Sequence, residues 1–206
     1  MSRSSAVVGV SEHNGWAIFV CVSARAGRPV VIDRRRVQLL DSGLPRQPYH
    51  HEATELELDK AEALITRVEE SAAANALSRL TELQQDIESD HELVAISIRE
   101  DPVRPLPKTV AEILSHHPSM HAAEGILYRR ALRDAGHTIG IEVDSYPRKN
   151  GMAHFVGKLE TVEESLDDLL KKIGKSLGPP WQKDHKVATS AAMAVLCGHC
   201  KLNLAI

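Results

Sequence analysis

At 206 residues and a formal net charge of −3, the chain is one ordinary domain, long enough to bury a real core and too acidic overall for an avid non-specific DNA binder. Three cysteines give no disulfide framework, so a reducing cytoplasm is the expected setting, and two Phe, two Trp and three Tyr are too few for an aromatic platform under single-stranded nucleic acid. Nothing resembles a signal peptide, and no apolar run approaches the roughly 18 residues of a membrane span.

The charge is unevenly spread. Residues 1–51 carry seven arginines against Glu12, Asp33 and Asp41. From Glu52 to Asp101 there are 14 acids against four bases, and the remainder is mildly basic. A basic first quarter favours phosphates, whereas an acidic helix is usually a solvated face.

Along the chain, Ala6–Ser11 is a short continuous apolar run, as a buried central strand should be. Asn14-Gly15 is the strongest hairpin signal and leads into a second strand, Trp16–Ser23. Pro29–Leu40 reads as a third. Its Arg34, Arg35 and Arg36 suit an edge position, where charge discourages further pairing. After a Gly/Pro loop, apolar residues from Glu52 to Ile87 recur at spacings of three, four and seven, which predicts a long helix.

Leu93–Ile98 is the fourth strand, followed by a proline-rich connector. Thr109 with Glu112 predicts a capped helix to about Ser115, and helix resumes from Ser119 to Ala135 with Gly136 as its terminating glycine. Thr138–Val143 reads as the fifth strand. Glu160–Leu177 is an amphipathic helix broken by Gly178-Pro179-Pro180, and Asp184–Leu196 is a closing alanine-rich helix. The whole reads as a single domain over 1–206: a three-stranded antiparallel part over 1–51, a helix/strand part over 52–158 and C-terminal helices over 159–206.

The order β-β-β-α-β-α-β-α, with four stretches of sequence, resembles the RuvC-type branch of the ribonuclease H-like superfamily, the Holliday-junction resolvases and their transposase relatives. The stretches are Val8-Gly9-Val10-Ser11; Leu93-Val94-Ala95-Ile96-Ser97; Glu124-Gly125 through Ala131, Ala135-Gly136 and Ile139–Val143 to Pro147, Arg148 and Lys149; and Asp184 through Ala194. The resemblance implies an α/β fold with a mixed five-stranded sheet in order 3-2-1-4-5 flanked by helices. It also implies carboxylates on the first and fourth strands and on the closing helix, holding Mg²⁺ or Mn²⁺ for phosphodiester hydrolysis. Ser11 and Ser97 stand at two of those places, Asp184 keeps one, and Val187 stands where a further acid would be welcome.

Hard divalent cations need charged oxygen ligands, and serine hydroxyls replace carboxylates poorly. On these positions the catalytic set is broken, unless Glu12, Glu100 (or Asp101) and Asp184, with Asp144, converge at the strand ends as a shifted set. His13 and His185 then stand beside acids as possible general bases. Arg34, Arg35 and Arg36 are candidate phosphate contacts, and His50 and His51 a candidate metal or phosphate cluster. Cys197-Gly198-His199-Cys200 copies a dithiol motif in the wrong context and reads as a helix-ending turn.

The leading expectation is therefore a nuclease-derived protein of this fold, associated with structured DNA or RNA, with a degenerate catalytic site. An active metal-dependent nuclease on the shifted acids, a non-catalytic scaffold for which a homodimer through its helices is a candidate assembly, and a small-molecule enzyme around Glu12, His13, His50 and His51 are the alternatives.

Overall fold

A computed structural model describes residues 3–204. Its sheet runs β3-β2-β1-β4-β5, as the resemblance implied. The strands are β1 (Ser4–His13), β2 (Trp16–Arg25), β3 (Arg28–Gln38), β4 (His91–Arg99) and β5 (Glu142–Tyr146). β1 is antiparallel to β2 and parallel to β4; β2 and β3 are antiparallel, and β4 and β5 parallel. The central strand β1 is buried over most of its length, which its unbroken apolar run requires.

Helices cover both faces. α1 (Leu58–Ile87), α2 (Val110–Leu114) and α3 (His117–Thr138) pack with Val8, Val10, Phe19, Ile96 and Ile98 in the larger core. α4 (Gly151–Lys158), α5 (Glu163–Leu177) and α6 (Lys183–His199) pack on the opposite face with Val7, Val20, Val22 and Ala95. Among the described residues no helix is long and apolar enough to cross a membrane.

β1 and α6 approach at van der Waals limits. A Cβ on Gly9 would lie 1.8 Å from the Ala188 carbonyl oxygen, so only glycine fits there. The alanines of α6 face the sheet buried, the small side chains that such an approach demands.

Several boundaries differ from expectation for identifiable reasons. α1 begins at Leu58, after a single 3₁₀ turn at Ala53–Glu55, and runs straight through Ala72–Ala76. Gly136 lies inside α3, where a Cβ would come within 2.9 Å of Val143 and 3.0 Å of Ile96. Its role is close helix–sheet packing. The left-handed position belongs to Gly140 (φ +78°), which donates to the His137 carbonyl while Ile141 donates to Gly136, the Schellman pattern of a helix end. α3 therefore takes residues up to Thr138, and β5 starts only at Glu142.

α4 was hidden behind the turn signal Pro147–Gly151, although Met152, Phe155, Val156 and Leu159 already carry helical spacing. Thr109 and Glu112 form the expected reciprocal cap on α2.

Candidate functional site

Side chains alternate along β1 to its last residue, and this decides what the strand end presents. Val7, Gly9, Ser11 and His13 face α6; Val8, Val10 and Glu12 face α3. The β1–β4 ladder ends at the Gly9–Ser97 pair, and Ser97 pairs in turn with Asp144 on β5. Ser11, Ser97 and Asp144 thus share the α6 side of the sheet.

Each serine donates to an acid. Ser11 Oγ lies 3.0 Å from Asp184 Oδ1, and Ser97 Oγ lies 3.2 Å from Asp144 Oδ2. Asp184 sits in the first turn of α6, where the helix dipole favours a negative charge, and also meets His13 Nε2 at 3.1 Å. His13 stacks flat on Trp16 (centroids 4.0 Å apart, planes 5° apart), and the Arg36 guanidinium lies 4.1 Å from the same indole. Beyond the ladder, the Val10 carbonyl accepts from the buried Tyr146 hydroxyl at 2.7 Å; burial raises the pKa of that phenol.

These groups border a cleft of about 600 Å³, lined by Ser11, His13, Tyr146, Arg148, Lys183 and Asp184 among others. Glu12 and Arg99 line it too, so its ionisable lining mixes two acids, Glu12 and Asp184, with His13, Arg99, Arg148 and Lys183.

Glu12 is only 4% exposed and belongs to the other face. Its Oε1 accepts from Arg99 Nε (2.8 Å) and Nη2 (2.5 Å) and from Arg129 Nη1 (3.1 Å). Arg129 also donates to Asp101 at 2.7 Å, and Arg133 does so at 3.0 Å. Glu12 and Asp101 are thereby partners of arginines. Glu100 is exposed; its backbone N–H bonds the Tyr146 carbonyl, extending the β4–β5 pairing.

Glu12 and Asp184 thus line one cleft, but Glu12, Glu100 and Asp184 do not form a group whose donor atoms lie within 4.8 Å of one another. Among the described residues, the one group of three or more His, Cys, Asp or Glu side chains whose donor atoms lie within 4.8 Å of one another is His50, His117 and His121. Glu12 stays on the α3 side because β1 continues to His13 and keeps its alternation.

His185 is buried and its Nδ1 accepts from the Gln182 N–H at 3.2 Å, forming part of the α6 cap. Burial, with Arg34 nearby, lowers its pKa and keeps it an acceptor. Arg34 donates to the carbonyls of Leu177, Gly178, Pro179 and Pro180 at 2.6–3.3 Å, closing the end of α5. Arg35 forks onto Asp33 and reaches Asp86 of α1. Of the three arginines, Arg36 alone is exposed.

His50 lies against α3, whereas His51 is exposed with its ring 6.4 Å from that of His50. Cys197 and Cys200 are free thiols whose sulfurs meet the Ala194 and Leu196 carbonyls of α6; burial raises their pKa values.

Sequence reasoning gave no role to Arg99, Arg129, Arg148 or Lys183, although Arg129 and Arg148 lie in stretches that carry the resemblance. It also missed His117 and His121, although their i, i+4 spacing on a helix was a usable signal.

No family model matches the chain, and no curated protein matches it in sequence. Solved structures do. RuvC of Thermus thermophilus is similar over 94% of this chain and 95% of its own, with a TM-score of 0.53 at 11% identity. The same protein in complex with a Holliday junction substrate matches over 95% of both chains, with a TM-score of 0.50 at 11% identity. The yeast mitochondrial Holliday junction resolvase Ydc2 aligns over 96% of this chain and 83% of its own, with a TM-score of 0.42 at 11% identity. The fold is the ribonuclease H-like fold of RuvC.

Proposed function

We propose that this chain binds structured nucleic acid, DNA junctions foremost, on a nuclease-derived scaffold from which two-metal hydrolysis has been lost. The observation that carries the reading is the pairing of Ser11 with Asp184 and of Ser97 with Asp144. Two-metal hydrolysis requires several carboxylates to clamp ions about 4 Å apart. Here two hydroxyls stand among the acids on that face, and Glu12 is neutralised by Arg99 and Arg129. The donor set does not fit a pair of Mg²⁺ or Mn²⁺ ions.

What remains suits phosphate binding. Arg148 and Lys183 supply charge at the cleft and His13 a further donor, while Arg36 lies over Trp16, the ring on which His13 stacks, as an exposed planar cation. The fold of a protein solved with a Holliday junction substrate supports the choice of a branched ligand.

Fluorescence anisotropy with a four-way junction, a duplex and a single strand tests this. Expected are preference for the junction, affinity that falls linearly in log[salt], and a loss of about tenfold or more in Arg148→Ala/Lys183→Ala. Incubation with Mg²⁺ or Mn²⁺ should leave the junction intact. Cleavage abolished by Asp184→Asn would overturn the loss of hydrolysis. No binding to any of the three at low salt would overturn the nucleic-acid reading and favour a protein-binding scaffold.

A further inference from the structure

A second group of chemically capable residues lies on the α3 side of the sheet, away from Ser11 and Asp184. His117 and His121 are one helical turn apart on α3, and Glu124 follows at i+7, so all three lie on one side of the helix. His50 comes from the loop between β3 and α1. That loop is held against α3 by the Tyr128 hydroxyl, which donates to the Arg46 carbonyl at 2.8 Å, and is closed by the Ala53 N–H on the Pro48 carbonyl at 3.0 Å. The ring centroids of His50 lie 5.0 Å from His117 and 3.9 Å from His121, and those of His117 and His121 are 4.6 Å apart.

Packing alone leaves this cluster badly satisfied. Glu124 is 1% exposed, and neither of its carboxylate oxygens has a hydrogen bond. The His50 side chain is 9% exposed, and neither ring nitrogen has one either, although Nδ1 stands 2.9 Å from Glu124 Oε1 at an unfavourable angle. His50 Nε2 and Glu124 Oε2 have no partner, and Nδ1 and Oε1 have only each other without a hydrogen bond; such buried polar atoms are costly, and they sit side by side.

A cation on Nε2 of His50 would give that nitrogen a partner. It fixes the tautomer with the proton on Nδ1, aims that N–H at Glu124, and gives the carboxylate a positive centre to face: the carboxylate–histidine–metal arrangement.

We propose that His50, His117 and His121 form a Zn²⁺ site with Glu124 as the carboxylate behind His50. Three imidazoles are a borderline-soft nitrogen set, suited to Zn²⁺ and unsuited to Mg²⁺ or Ca²⁺. Nitrogens around tetrahedral zinc lie about 3.4 Å apart, for bonds of about 2.05 Å. The donor atoms here are within 4.8 Å, and the exposed His117 and His121 close the difference by side-chain rotation. Three protein ligands leave a fourth position open, and His117 and His121 border a cleft of about 470 Å³ that also contains Arg104 and Arg148. The fourth ligand is water or an anion entering from there.

The experiment is a Zn²⁺ titration of chelator-stripped full-length protein against a chromophoric competitor, with Co²⁺ substitution as a spectroscopic readout. Expected are one equivalent bound at sub-micromolar Kd and the visible absorption of low-coordinate Co²⁺. His117→Ala and His121→Ala, at exposed positions and checked for folding by circular dichroism, should each weaken binding at least 100-fold. Glu124→Gln should keep the stoichiometry and weaken binding about 10–100-fold. His137→Ala, farther along α3, should change nothing. Binding weaker than about 10 μM, or equal binding by the wild type and by folded His117→Ala/His121→Ala, would overturn the site.

Discussion

Ser11 and Glu12 are neighbours in sequence and opposites in environment. Ser11 points towards α6 and offers a neutral hydroxyl to Asp184 in the lining of a surface cleft. Glu12 points towards α3 and lies buried under Arg99 and Arg129, the second of which also holds Asp101. The contrast teaches that a charge moved by one residue along a strand is not a charge moved by 3.4 Å. It crosses the sheet, meets a different helix and acquires a different purpose. On the α6 side the acids remain reachable from solvent; on the α3 side the acid ties β1 to β4 and α3.

The largest test of this contrast is Arg129→Ala. It strips one partner from buried Glu12 and should cost about 3–5 kcal/mol in denaturant unfolding, whereas Ser11→Ala should cost about 1 kcal/mol. Equal costs for the two variants would break the comparison.

A middle-sized effect is expected from Ser11→Asp/Ser97→Glu, which returns carboxylates to the α6 side. In chelator the added repulsion against Asp184 and Asp144 should lower stability by about 1–2 kcal/mol, and millimolar Mn²⁺ should restore it. A melting temperature indifferent to Mn²⁺ would show that more than these two side chains separates this face from a metal site.

The smallest effect is a pH dependence. Burial lowers the folded-state pKa of His185, so the unfolded chain binds its proton more readily. The cap's contribution is full above the ordinary histidine value of about 6.5 and declines as pH falls below it. Replacement by Asn, which keeps an acceptor for the Gln182 N–H, should flatten that part of the stability profile. An unchanged slope would remove His185 from the account.

Much of the fold was legible because it depends on repeated, local signals. The apolar runs of β1, β2 and β4, the Asn14-Gly15 hairpin, the arginine-marked edge strand and the Thr109–Glu112 cap are each written in adjacent residues. The site was less legible. That Ser11 and Asp184 belong together followed from the resemblance, but the direction of Glu12 depended on whether β1 ended at residue 11 or 13, and strand ends are poorly marked in sequence. Arg34 was exposed in expectation because three consecutive arginines suggest a surface; one of them instead closes the end of α5, a partner more than 140 positions away. The histidine cluster joins a loop to a helix across 67 residues, and only the fold makes that distance short.

The contact at Gly9 has a mechanical meaning. With the Ala188 carbonyl occupying the space of a methyl group, α6 has no clearance against β1 and cannot slide or tilt without prising the sheet open. Ser11 and Asp184 are consequently welded to the same rigid body. Any gripping motion of the cleft must be made by its far jaw, where Arg148 precedes the short helix α4, while the near jaw acts as a fixed anvil.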